Sequence, residues 1–413
     1  MPEQTTRKSR QKNTAVNREL SNGDRLSVIA LLDALIGEAQ VAGTSDLHMD
    51  PEGESVRIRF RCDGILEERY KFPQKIHAEL LSRVRVLAGL RTDEHQLPQD
   101  GRFRFALSSH DWLDIRVSIM PTYHGGNVVL RLLSPRSESM TLEGLGFMDE
   151  HRVKIENTLT HPHGLILVTG PTGSGKTSSL YTFAKILNIP DRSLVSIEDP
   201  IEYSLPGVRQ IETNHSAGLT FSTGLRAILR QDPDVLIVGE IRDRETAGLA
   251  INAALTGHLV LSTLHATDAL TSIPRLLDLG VEPYLLASTV RLIIAQRLVR
   301  RICAECKVEH TPSLNEQHLL SEMLPANERI PQKLFKGVGC ASCANGFKGR
   351  VGLYEVVEPR DLVPEVLFGD PEDIFGGSIG TPLGLHSLML DGIRKAASGI
   401  TTLSEVLRVC HAQ

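Results

Sequence analysis

Residues 164–187 read GLILVTGPTGSGKTSSLYTFAKIL, and this stretch decides the fold. An unbroken apolar run, Leu165–Val168, leads into Gly170-Pro171-Thr172-Gly173-Ser174-Gly175-Lys176-Thr177, which fits G-x-x-x-x-G-K-[ST]. A helical run opening at Ser178 follows. Strand before and helix after is the context in which such a loop binds phosphate. Glycines let successive backbone N–H groups turn inward as an anion nest. The helix N-terminus adds partial positive charge. Lys176 is expected to reach the β- and γ-phosphates, and the Thr177 hydroxyl to hold Mg²⁺.

Outward from this loop, SLVSIEDP (193–200), DVLIVGE (234–240) and HLVLSTLH (258–265) are further apolar runs ending in acidic or polar residues. Helical segments separate them. That alternation predicts an α/β fold with a parallel sheet covered on both faces, and chemistry at the C-terminal strand ends. Two strand ends carry acids: Glu198-Asp199-Pro200-Ile201-Glu202, and Gly239-Glu240. Four apolar residues run into Gly239-Glu240, which makes Glu240 the better candidate for the Mg²⁺ shell. Asp234 starts its strand, at the end away from the phosphates, and reads as a turn or cap. His258 and His265 stand at the two ends of the third run. Either is a candidate to sense the γ-phosphate, with an ordinary structural histidine as the alternative.

Upstream, the pattern changes. SVIALLDALIGEAQVAG (27–43) has helical spacing and a glycine stop. SVRIRFRC alternates apolar and charged residues up to the turn Asp63-Gly64, RFRFAL and LDIRVSIM repeat the alternation, and NVVLRLL is a further strand. Residues 26–134 are therefore expected to form an α+β domain, with 135–146 as a linker and 147–300 as the nucleotide-binding core. Residues 1–25 carry six Lys/Arg against three Asp/Glu and read as a polar basic tail. By alternation alone, Arg116 and Arg131 are solvated strand-face arginines.

Downstream, Cys303-Ala-Glu-Cys306 and Cys340-Ala-Ser-Cys343 form two C-x-x-C knuckles separated by 33 residues. Four thiolates at this spacing suit a closed, structural Zn²⁺ site. A redox pair and unligated core cysteines are the alternatives. The expected insertion spans 301–356, and 357–413 reads as a helical end with a loose 357–380 segment. Cys62 and Cys410 are isolated.

Composition bounds the rest. The chain has 413 residues, 41% apolar and 23% charged, with a net charge of -5. That excludes a disordered or disulfide-scaffold protein. Aromatic content of 4%, with the single Trp112, argues against a base-stacking surface. No apolar run reaches the 18 residues of a membrane span, and the basic N-terminus lacks an apolar signal core. A cytoplasmic chain is expected.

Together these motifs resemble the ATPase family that powers type II secretion and type IV pilus assembly. The resemblance covers nearly everything from Leu26 onward. It rests on TSDLHMDP (44–51), QDGRFR (99–104), DIRVSIMP (114–121), GPTGSGKTSSLY, SIEDPIEY, the LRAILRQDPDVLIVGEIRD segment, TGHLVLSTLHATDA and the tetracysteine run ending GRVGLYE (349–355). It implies a RecA-like P-loop core, a smaller PAS-like N-terminal domain, a zinc insertion and a helical end. It implies further that Glu202 polarises the attacking water, that Glu240 is the Walker B acid, and that Arg116 and Arg131 reach the phosphates. The implied assembly is a cytoplasmic homohexamer at the inner face of the cytoplasmic membrane, acting on an inner-membrane platform protein, with a cytoplasmic-domain docking protein as a further candidate partner. No direct nucleic-acid partner is expected. A retraction motor and a DNA-uptake or conjugation translocase are the alternatives. The sequence departs from the family at His124-Gly125-Gly126-Asn127, which lacks two charges, and in having only about 25 residues before the core where larger members carry a docking domain.

Overall fold

The computed structural model describes residues 14–22, 25–107, 111–133, 141–325, 328–343, 345–358 and 387–410. Most of the expected tail, residues 135–140 of the expected linker and most of the loose 357–380 segment lie outside them. Two compact units divide the chain, Met1–Ser137 and Glu138–Gln413.

In the first unit, six strands form one antiparallel sheet: β1 (Thr44–Glu52), β2 (Ser55–Cys62), β3 (Ile65–Pro73), β4 (Gln99–Ala106), β5 (Trp112–Thr122) and β6 (Gly125–Leu133). Their order is β3-β2-β1-β6-β5-β4. The expected hairpin turn is present: Cys62 pairs with Ile65, and both Asp63 (φ 50°) and Gly64 (φ 85°) take the positive φ that a tight two-residue turn requires. Helices Val28–Val41 and Gln74–Leu87 share one core with the sheet, where Leu31, Leu35, Leu80 and Val84 meet Met49, Phe60, Ile115 and Leu130. The charged residues of the alternating strands take the other side.

The tail reading fails for its described part. Ala15–Ser21 is a helix, capped by the Thr14 side chain, and Val16 is fully buried. Leu20, one turn later, packs against the same core. Two apolar residues four apart make one face of a short helix, too small a stripe to stand out among charges.

The second unit holds β7 (Gly164–Thr169), β8 (Leu194–Glu198), β9 (Arg209–Glu212), β10 (Val235–Val238), β11 (Leu259–Leu264), β12 (Val290–Ile302), β13 (Lys307–His310), β14 (Leu334–Gly337) and β15 (Phe347–Val357). The main sheet has the order β15-β12-β7-β11-β10-β8-β9. All its neighbours are parallel except β15, which runs antiparallel to β12. Alternate residues of one strand enter different cores. Leu165, Leu167, Leu236 and Val238 pack on one face, and Ile166, Val168, Val235 and Ile237 on the other. This two-sided burial is what makes these strands continuously apolar. The architecture is α/β with a RecA-like core.

Two expected boundaries move. Residues 141–146 are not a free linker: Thr141 caps the short helix Leu142–Leu145, and Leu142 and Phe147 are buried in the second unit. Residues 347–356 belong to the sheet rather than to the cysteine insertion, because β15 pairs with β12 from Ile302 back to Ile293.

Helices Leu388–Ala397 and Leu403–Cys410 close this edge, packing Ile393, Leu403 and Val406 against Val299, Val351 and Leu353. A buried ion pair fixes the first of them to β15. Lys395 Nζ lies 2.6 Å from Asp391 Oδ2 and donates to Gly352 O at 2.7 Å, and Tyr354 N donates to Asp391 at 2.8 Å. Both side chains are essentially inaccessible. Removing one partner leaves a buried charge uncompensated. Lys395→Met is therefore expected to destabilise the second unit by about 3 kcal/mol, measured by urea denaturation. The pair Asp391→Leu/Lys395→Met is expected to recover only part of that loss, because Tyr354 N and Gly352 O then lose their side-chain partners.

Candidate active site and metal centre

β7 is buried along its whole length and delivers the glycine loop at its C-terminal end. Gly170, Gly173 and Gly175 have φ of 146°, 79° and 89°. Two of them also face backbone or side chains at close range. A Cβ on Gly170 would lie 2.4 Å from Gln296 O, and one on Gly175 would lie 2.8 Å from Gln296 Nε2. Helix Lys176–Leu187 begins with no side-chain cap, so its first N–H groups stay available to an anion. Pro171, Thr172 and Gly173 form the exposed rim, while Thr177 and Ser178 are half-buried in the first helical turn. Ser174 Oγ is buried without a hydrogen-bond partner among the described residues.

Lys176 folds across the loop, donating to Gly170 O at 2.8 Å and Pro171 O at 3.1 Å. Burial pulls its ammonium down to about 8, with Glu240 opposing and Arg297 adding to the fall.

The parallel register gathers the other strand ends. Thr169 pairs with Leu264 and Val238 with Ser262, so the glycine loop, Glu240 and His265 all emerge at one sheet edge. Glu240 Oε2 lies 2.6 Å from Arg242 Nε and 3.3 Å from His265 Nε2. Gly239 has a steric reason. A Cβ there would lie 3.2 Å from Ile197 O and 3.3 Å from Glu198 Cα.

His258 is not brought to this edge. It precedes β11, where Leu259 pairs with Gly164, and its Nδ1 lies 3.0 Å from Ala253 O. A six-residue strand separates it from His265, about 20 Å at the usual rise. That ring serves the turn before β11. Asp234, at the same far end, accepts from Ser193 N at 2.7 Å, a turn role as expected.

Glu198 is buried and accepts hydrogen bonds from Ser196 Oγ (2.6 Å), Gln210 Nε2 (3.2 Å) and the Tyr181 hydroxyl. It braces β8 from inside. Glu202 lies beyond the strand, half-buried, in the segment that leads to β9.

In the first unit, Arg116 and Arg131 are directly opposite one another across β5 and β6, and Arg102 is opposite Arg116. Arg131 Nε lies 2.8 Å from Asp46 Oδ1. Burial pushes the Asp46 carboxyl up, but the Arg131 and Ser45 hydrogen bonds win and hold it below its ordinary value.

Sequence reading missed Gln296. This buried side chain accepts from Ser179 Oγ at 2.7 Å and donates to Ser174 O at 2.7 Å, tying the loop to β12. The available signal was an amide inside the apolar run LIIAQRLV.

Cys303, Cys306, Cys340 and Cys343 converge, with all four Sγ atoms within 4.8 Å of one another. Three of the separations are 3.8, 3.7 and 3.5 Å. A tetrahedral Zn²⁺ with bonds of about 2.3 Å has S–S edges of about 3.8 Å, whereas a disulfide needs about 2.05 Å. The donor set fits zinc.

An anion on the loop favours charged Lys176. Between pH 8 and 9, where phosphates are already ionised, ATP binding is expected to take up about half a proton near pH 8. Calorimetry in buffers of differing ionisation enthalpy measures this uptake, and Lys176→Arg is expected to abolish it.

Comparison with known proteins places the chain in a family. The family described as Type II/IV secretion system protein matches residues 21–408. The chain is 43% identical to the type IV pilus assembly ATPase PilB of Pseudomonas aeruginosa, over 94% of this chain and 68% of that protein. It is 42% identical to the type II secretion system protein E of the same organism, over 94% of this chain and 77% of that one. Among solved structures, the Legionella pneumophila ATPase DotB shares the fold, with a TM-score of 0.62 at 20% identity over 91% of this chain and 94% of that one. The chain belongs to the Type II/IV secretion system protein family, and it is an ATPase.

Proposed function

We propose that this chain is a Mg²⁺-dependent ATPase that works as a cytoplasmic homohexamer at the inner face of the cytoplasmic membrane. It drives pseudopilus or pilus assembly through an inner-membrane platform protein. The observation that carries the catalytic part is the meeting of the glycine loop, Glu240 and His265 at one edge of the sheet. The relatives named for pilus assembly and type II secretion support the transport part, as does the tetracysteine module, which by family resemblance favours assembly over retraction. Direct nucleic-acid binding is not part of this reading.

In this reading the N–H groups of Gly173–Ser178 and the Lys176 ammonium hold the phosphates. Thr177 and Glu240 would hold Mg²⁺, which would supply charge neutralisation at the phosphates. Glu202 orients and polarises the attacking water. Arg116 and Arg131 stabilise charge developing on the transferred phosphoryl group. His265 hydrogen-bonds near the γ-phosphate, with Glu240 fixing its ring. The four cysteines hold a structural Zn²⁺, leaving it no open position for catalysis.

Steady-state hydrolysis tests the site. Lys176→Ala, Glu240→Gln and Glu202→Ala are each expected to lower kcat by about 100-fold or more. Wild-type rates in all three would refute it. Elemental analysis of protein purified without chelators is expected to find one zinc per chain, and Cys340→Ser to lose it. Metal-free wild-type protein would remove the zinc assignment.

A further inference from the structure

β11 hands over to the short loop 265–269, which carries His265 beside Glu240. Three other strands hold this loop by its backbone. From β7, Thr169 Oγ1 accepts from Ala266 N at 3.0 Å. From β12, Arg297 Nη2 donates to Thr267 O at 2.9 Å. From β15, Glu355 Oε2 accepts from Ala269 N at 3.3 Å.

The Glu355 anchor is chemically expensive for a purely structural purpose. Glu355 is only 5% exposed, and its side chain has one hydrogen bond among the described residues, to that loop amide. Burial raises its carboxyl to about 7; the Ala269 N–H opposes the rise and the Asp268 charge adds to it. A carboxyl buried without a cation partner costs stability that an apolar residue would not. Its β15 neighbours Val356 and Val357 are apolar and buried as well. Arg297 brings a guanidinium close enough to Lys176 to depress its ammonium. It too directs a hydrogen bond at the loop.

We infer that Arg297 and Glu355 are positioning residues that fix the 265–269 loop, and through it hold His265 opposite Glu240 during hydrolysis. This rests on the role proposed above for His265. Neither residue touches the reacting atoms in this scheme. Their effect falls on the rate of the bound complex rather than on ATP affinity, because the phosphate-holding N–H groups and Lys176 remain in place.

The test measures kcat and KM for ATP with the full chain carrying Arg297→Ala, Glu355→Ala or Glu355→Gln, each alone and combined with His265→Ala. Arg297→Ala and Glu355→Ala are expected to lower kcat about tenfold, with KM within about twofold, because small misplacements of a reacting group are costly. Glu355→Gln keeps an acceptor oxygen for Ala269 N and is expected to restore most of the rate. With His265 already replaced, neither alanine change is expected to lower kcat further, since residues acting through one group are not additive. Full additivity with an impaired His265→Ala protein would overturn the positioning role and leave the His265 assignment standing. A fully active His265→Ala protein would overturn both. A rise in KM at constant kcat, or Glu355→Gln as damaged as Glu355→Ala, would also overturn it. Should Glu355→Ala fail to fold, the half-buried Arg297 carries the same comparison, with thermal melting as the folding control.

Discussion

The catalytic edge depends on how closely the glycine loop lies against β12. Gly170 and Gly175 both sit where a Cβ would collide with Gln296, whose amide bridges Ser174 and Ser179. This contact keeps the loop open as an anion nest while the sheet holds its base. A side chain at either glycine would lever the loop away from the strand and spoil the direction of its N–H groups. Positive φ already favours glycine at both positions, and the approach of Gln296 adds a steric requirement.

That dependence links the site to the rest of the second unit. β12 reaches from the glycine loop to Cys303, and β15 returns from the cysteine module antiparallel to it. The Asp391–Lys395 pair then fastens helix Leu388–Ala397 to β15 through Gly352 and Tyr354. Loop, cysteine cluster and terminal helices thus share two adjacent strands. A rigid parallel sheet is well suited to this, because every central strand is buried on both faces and has little room to shift.

Much of this was legible in the chain. The four parallel strands β7, β8, β10 and β11 declared themselves as uninterrupted apolar runs, β2, β4 and β5 as alternation, and the Asp63-Gly64 hairpin by its turn residues, whereas β1, β3 and the polar β9 did not stand out. The glycine loop and the two C-x-x-C pairs carry local geometry in their spacing. Less legible were features that depend on distant partners. Ala15–Ser21 offered only Val16 and Leu20 as apolar contacts, so its helix hid in a charged segment. Residues 347–356 looked like part of an insertion because cysteines preceded them, yet they are the edge strand of the core. His258 and His265 looked equivalent at the ends of one run; the register of β11 with β7 separated them.

The sequence alone determined the kinds of element and the local chemistry: a phosphate-binding turn, acids at strand ends, and thiols in pairs. Periodicity and turn residues encode these because they act within a few residues of chain. Tertiary structure alone decided which strand ends share an edge, why Gly239 rather than a larger residue precedes Glu240, and that Gln296, Arg297 and Glu355 serve the site. Those outcomes depend on strand order and register, which bring Arg297 to a residue 30 positions away, Glu355 to one 86 away and Gln296 to one 122 away, and no local pattern records such distances.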